Sequence, residues 1–125
     1  MALKYTHMYS GADGLTHFKE VELPDADNDR KSFRTSSAII PANGFFLRET
    51  VGKYDNDWHN SPRKTMVVVL EGGLEIVASD GKKRVFKAGD VFLQDDPTGK
   101  GHYTQPMDGK PRKTLFITLD DGYKK

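Results

Sequence analysis

From residue 36 onward, short apolar runs alternate with turn residues. Ser36-Ser37-Ala38-Ile39-Ile40 leads into a turn cluster, Pro41-Ala42-Asn43-Gly44, and then into a strand candidate, Phe45-Phe46-Leu47-Arg48-Glu49-Thr50-Val51. After an irregular stretch carrying Trp58 and His59 comes Thr65-Met66-Val67-Val68-Val69-Leu70, the strongest β-branched run in the chain. Gly72-Gly73 breaks it. Leu74-Glu75-Ile76-Val77-Ala78 and Arg84-Val85-Phe86 flank an Asp80-Gly81 dipeptide, which tolerates the positive φ angles of a tight hairpin. Ala88-Gly89-Asp90 turns again. Val91-Phe92-Leu93-Gln94, His102-Tyr103-Thr104 and Thr114-Leu115-Phe116-Ile117-Thr118-Leu119 complete the series. Turn signals recur roughly every 8–12 residues and no stretch holds a helical period, so the pattern predicts an all-β sandwich or barrel.

The first 30 residues read differently. They are polar and rich in Gly and Asp, with one partly alternating segment, Leu15 to Leu23, that suggests a short strand ended by Pro24. Asp25 to Lys31 is a charged loop. The predicted division is an N-terminal arm over 1–35, with a short strand, and a barrel over 36–125. His7 and His17 fall in the arm and are expected at its surface.

Composition narrows the function classes. A chain of 125 residues and 14.0 kDa is one domain, large enough for a core. Its longest apolar run, Met66 to Leu70, is far short of the roughly 20 residues of a membrane helix. The N-terminus has no apolar signal-like core, so a cytoplasmic protein with no membrane partner is expected. The absence of cysteine excludes disulfide scaffolds, thiol catalysis and iron–sulfur clusters. A formal net charge of +1 argues against nucleic acid as a partner. Without staples, stability must come from apolar packing, which a homodimer would supplement and which would also cover sheet edges.

Two stretches carry candidate chemistry, and both resemble the motifs of the cupin superfamily. The first cupin motif runs Gly-x5-His-x-His-x3/4-Glu-x6-Gly. Registered on Gly72, it places His59 at the first histidine, Ser61 at the second and Thr65 at the glutamate, with Gly52 one residue from the opening glycine. The second motif runs Gly-x5-Pro-x-Gly-x2-His-x3-Asn. Pro97, Gly99 and His102 match it, Pro106 replaces the asparagine, and Gly89 lies two residues too far upstream. The resemblance covers about residues 44–119 and implies a cupin-like double-stranded β-helix, a jelly-roll barrel. In that family the motif histidines and glutamate point into the barrel and hold one divalent metal.

The residues leave the chemistry open. His59 and His102 supply two imidazoles, while Ser61 and Thr65 offer only poor hydroxyl ligands. A carboxylate would have to come from Asp95, Asp96 or Glu49; Glu49 would point inward if Phe45, Leu47 and Glu49 shared the inner face. Two histidines and a carboxylate would suit Fe, Mn, Zn or Ni, so His59, His102 and Glu49 form the candidate metal set. Without a metal, a histidine in a half-dry barrel moves protons near physiological pH, and Asp95 beside it would orient it. His59, His102 and Asp95 are thus the catalytic candidates. Trp58, Phe46 and Thr65, with the two histidines, are the candidate ligand-binding set; Phe45, Phe46, Phe92 and Tyr103 otherwise read as core.

Other constellations fail. Asp25-Ala26-Asp27-Asn28-Asp29 opens like a calcium loop, but Arg30 and Ser36 stand where an EF-hand needs Gly and Glu. Lys110, Arg112, Lys113, Lys124 and Lys125 are interspersed with acids and read as solvated surface. Three functions stay open: a barrel binding a small polar metabolite, an isomerase, lyase or dioxygenase acting on a small carbonyl or sugar-like substrate, and a non-catalytic interaction scaffold.

Overall fold

The computed structural model describes residues 3–24, 27–29, 34–51, 57–61, 63–107 and 110–120. Gly52, Arg30, Lys124 and Lys125, singled out in the sequence, lie outside the described residues. Among the described residues eleven strands run in chain order: β1 Leu3–Ser10, β2 Thr16–Leu23, β3 Asp27–Asp29, β4 Arg34–Ser36, β5 Ala42–Thr50, β6 Thr65–Glu71, β7 Gly73–Ala78, β8 Lys83–Lys87, β9 Val91–Asp95, β10 His102–Pro106 and β11 Arg112–Leu119. The described residues contain no helix, and so none that is long and apolar enough to cross a membrane.

Six strands form one sheet in the order β2-β1-β9-β6-β11-β5, and three form a second in the order β10-β7-β8; β3 and β4 pair separately. An antiparallel bridge between His59 and His102 adds the segment before β6 to the edge of the second sheet. From β5 onward the chain therefore alternates between the sheets, crossing at His59, β6, β7, β9, β10 and β11. Two facing, mainly antiparallel sheets visited in this order make a jelly roll, as the sequence predicts.

The β6 run is continuous rather than alternating because its residues pack into apolar clusters on both faces of the strand. Val67 and Val69 point to a core between the sheets, with Met8, Leu74, Ile76, Phe86 and Phe92. Met66 points the other way, to a second cluster with Tyr5, Leu93 and Leu119, against which Ile40 and Val21 pack. The β7–β8 hairpin closes on Gly81, whose φ of +93° is open to glycine at little penalty. There the Ala78 N–H donates to the Lys82 carbonyl at 2.9 Å.

The arm is more structured than its composition indicates. β1 joins the large sheet through a parallel pairing to β9, and places Met8 at 0% exposure in the inter-sheet core. His7 is buried, not at the surface, because it sits mid-strand under this pairing. Ser36 ends β4, and Ser37 to Ile40 runs irregularly and leaves Ile39 at 94% exposure.

Candidate functional site

Side chains on a strand alternate between faces, and this period of two builds one wall of a cavity after another. On β5 the inward residues are Phe46, Arg48 and Thr50; on β11 they are Arg112, Thr114, Phe116 and Thr118. Thr65 and Val67 of β6 and Phe92 and Gln94 of β9 continue the same sheet. Leu74 and Ile76 of β7 and Thr104 of β10 face them from the second sheet, and His59, Asn60, Ser61 and Arg63 close one side. The space between is about 500 Å³ and open to solvent. Its floor is apolar and its rim polar, the usual character of a small-molecule site.

The alternation also decides which candidates meet. His59, Thr65 and Phe46 line the cavity. His102 does not; it lies directly behind His59, with the two ring centroids 4.5 Å apart, and is completely buried. Glu49 falls on the outer face of β5 with Phe45 and Leu47, because the inward set is 46, 48 and 50, so it does not approach the histidines. Asp95 is on the outer face of β9: its Oδ2 accepts from His7 Nε2 at 2.9 Å and lies 3.8 Å from Lys64 Nζ. Trp58 also turns away from the cavity and packs edge-on against Tyr103, at 4.8 Å between centroids. Of the aromatic residues read as core, Phe92 is buried, Phe46 is a half-exposed cavity wall, and Phe45 is 71% exposed.

The carboxylate that orients His102 is Asp96, one residue beyond β9. Its Oδ2 accepts from His102 Nδ1 at 2.5 Å and from the Thr16 hydroxyl at 2.9 Å, and its Oδ1 accepts from the Ser61 N–H at 3.2 Å. Nδ1 of His102 donates to the carboxylate, and its Nε2 is buried and has no hydrogen-bond partner. His59 Nδ1 faces the Asp57 carbonyl at 3.0 Å and must donate to it, which leaves Nε2 of that ring as the nitrogen free for other partners. Backbone bonds in both directions between His59 and His102, at 2.8 and 2.9 Å, hold the rings together. Gly101 makes this approach possible: its φ is +82°, and a Cβ there would run into the His59 carbonyl.

A divalent ion needs three or four ligands of suitable hardness in fixed geometry. No group of three His, Cys, Asp or Glu side chains converges among the described residues. His102 is turned onto Asp96 behind His59, and the Thr65 hydroxyl is engaged with the Arg63 carbonyl at 3.0 Å. The residues present do not fit the metal that the motif resemblance implies.

Sequence reasoning also missed Arg112. It is buried and lines the cavity instead of the surface, because its position on β11 shares the inward face with Thr114.

No family model matches the chain. A curated relative, Oryzines biosynthesis cluster protein J of Aspergillus oryzae, is 36% identical over 64 residues, which are 50% of this chain and 34% of that protein. The matching stretch thus spans about a third of the relative's length. Among solved structures, the cupin domain of Schizosaccharomyces pombe Cnp3 is similar over 96% of this chain and 84% of that one, at 11% identity and a TM-score of 0.49. A cupin-2 domain protein of Shewanella frigidimarina is similar over 74% and 91%, at 23% identity and a TM-score of 0.44. A cupin 2 conserved barrel domain protein of Leptotrichia buccalis is similar over 75% and 47%, at 17% identity and 0.47. The chain is similar to cupin domains. Its jelly-roll topology stands on its own strand order, independent of these likenesses.

Proposed function

We propose that this protein binds a small polar metabolite in the cavity between its two sheets, without a metal. The observation that carries this reading is the cavity itself, about 500 Å³ with Val67, Leu74, Ile76 and Phe92 below and arginine, threonine and amide groups above. A filled barrel would have supported a scaffold role instead. The test is a thermal-shift screen of small polar metabolites on the wild-type chain and on Thr104→Trp, which fills the cavity from β10. A ligand at 100 times its Kd stabilises the folded state by about 2.7 kcal/mol. Hits that raise Tm in the wild type and vanish in Thr104→Trp support the reading. Hits that persist in the filled variant, or no hits at all, overturn it.

A second reading, catalysis, is favoured by the buried Asp96–His102 pair standing behind the exposed His59 ring. His59 would accept a proton from a bound ligand on the ring nitrogen left free by the Asp57 carbonyl. Isomerase or lyase turnover of a bound ligand, lost in His59→Gln while binding persists, is the result that would support it.

The outer face of β5 bears on the partner. β5 ends the large sheet, and Phe45 and Leu47 are 71% and 67% exposed. We propose that a second copy of the chain covers this edge, since an unpaired apolar edge strand is otherwise an aggregation site and a twofold axis lets one strand meet itself.

A further inference from the structure

We propose that the ligand of this cavity is an organic acid, its carboxylate held by Arg48 and Arg63 and its apolar body lying on the floor between the sheets. This inference rests on the reading of the cavity as a ligand site and names the class of ligand. Three of the chain's six arginines, Arg48, Arg63 and Arg112, line the cavity, whereas no described lysine does. No aspartate or glutamate is among the described lining residues. The whole chain is close to neutral, with 19 basic and 18 acidic residues, so this concentration of cations does not follow from composition.

The choice of arginine over lysine is informative. A guanidinium presents a planar fork of donors that matches a carboxylate in two parallel hydrogen bonds, which an ammonium cannot do. Arg48 is set for that role: its guanidinium carbon lies 5.3 Å from the Phe46 ring centroid and 4.7 Å from that of Phe116. Those two rings are themselves stacked, 4.8 Å apart and within 2° of parallel. A guanidinium held against aromatic rings still carries N–H donors that an anion can take. The surface arginine Arg84, by contrast, is paired with Glu20 at 3.1 Å. The floor then separates an organic acid from a bare anion. Val67, Leu74, Ile76 and Phe92 offer nothing to inorganic phosphate, but they bury the chain or ring of a carboxylic acid.

Isothermal titration of the full chain with hexanoate and 3-phenylpropanoate, their neutral amides, and inorganic phosphate tests this. The acids are expected to bind at least tenfold more tightly than the amides, and inorganic phosphate more weakly than either. The double variant Arg48→Gln, Arg63→Gln should erase the preference for acid over amide while leaving amide affinity within about twofold. Circular dichroism matched to the wild type checks that the variant is folded. Equal affinity for acid and amide in the wild type would sink the acid class and leave the cavity standing as a ligand site, provided that Thr104→Trp blocks both. Acid binding unchanged in the arginine variant, or phosphate binding as tight as the acids, would overturn the proposal as well. If neither acids nor amides bind the wild type, the ligand-site reading falls together with it.

Discussion

Replacing Asp96 by alanine should be among the most damaging single changes in this protein. The carboxylate is at 0% exposure and accepts from three donors, the His102 ring, the Thr16 hydroxyl and the Ser61 N–H, each on a buried residue. Alanine strands all three. A buried donor left without its acceptor costs about 1–3 kcal/mol, and removing one partner of a buried ionic or charge-assisted pair costs about 3–5 kcal/mol. Water entering from the adjacent cavity would satisfy part of that loss, so we expect about 4 kcal/mol. Urea denaturation measures it directly. With a slope of about 2 kcal/mol per molar urea for a domain of this size, the midpoint should fall by about 2 M. Asp96→Asn keeps the volume and one carbonyl oxygen and should lose about half as much. Glu71→Ala is the contrast: Glu71 and Lys113 are 3.8 Å apart on well-exposed side chains, and such a pair contributes under about 1 kcal/mol. A midpoint shift for Asp96→Ala no larger than that of Glu71→Ala would refute the claim that this carboxylate organises the histidine pair.

Three further outcomes follow from named contacts. The hydrogen bond to Asp13, with help from Asp80, raises the His17 pKa above its ordinary 6.5, and the same bond lowers Asp13 below 3.8. The His17 contribution is therefore full below pH 6.5 and lost as pH rises through its higher folded value, while that of Asp13 is present above pH 3.8 and lost as pH falls through its lowered one; urea midpoints of wild type and His17→Gln should differ most between about pH 4 and 6.5, and a constant difference up to pH 9 would contradict this. Gly101→Ala should cost more than about 2 kcal/mol, because its Cβ meets the His59 backbone at positive φ, whereas Gly81→Ala at a similar φ in open space should cost only the roughly 1–2 kcal/mol of the left-handed backbone; equal losses would mean that the His59 contact is slack. Sedimentation of the wild type should give twice the 14.0 kDa of the chain, and Leu47→Lys should give the single mass; a wild-type monomer at tens of micromolar would end the proposal of a β5 interface.

Much of the barrel was legible because its signals are local. The β-branched run of β6, the Asp80-Gly81 hairpin and the Gly89 turn each prescribe their own backbone, and the strands lie where those signals put them. The motif resemblance implied that His59 and His102 both point into the barrel; their rings lie 4.5 Å apart, but only His59 lines the cavity. The carboxylate beside His102 was left open among Asp95, Asp96 and Glu49. Asp95 and Asp96 are adjacent in sequence, yet Asp95 ends β9 on its outer face toward His7, and Asp96 turns inward to His102. Glu49 was lost for the same reason, since a shift of one residue on a strand reverses the face.

Sequence by itself determined what the chain is made of: short strands, tight glycine turns, no thiol and near-neutral charge. Tertiary structure alone decided what those strands bring together. β1 reads as polar arm until it pairs in parallel with β9, a partner more than eighty positions away. Arg48, Arg63 and Arg112 look like any surface cations in the sequence, and become one wall only because two sheets fold over the same space. Periodicity reports which side of a strand a residue occupies relative to its neighbours. It carries no information about which distant strand stands opposite, and the chemistry of this cavity depends on that opposition.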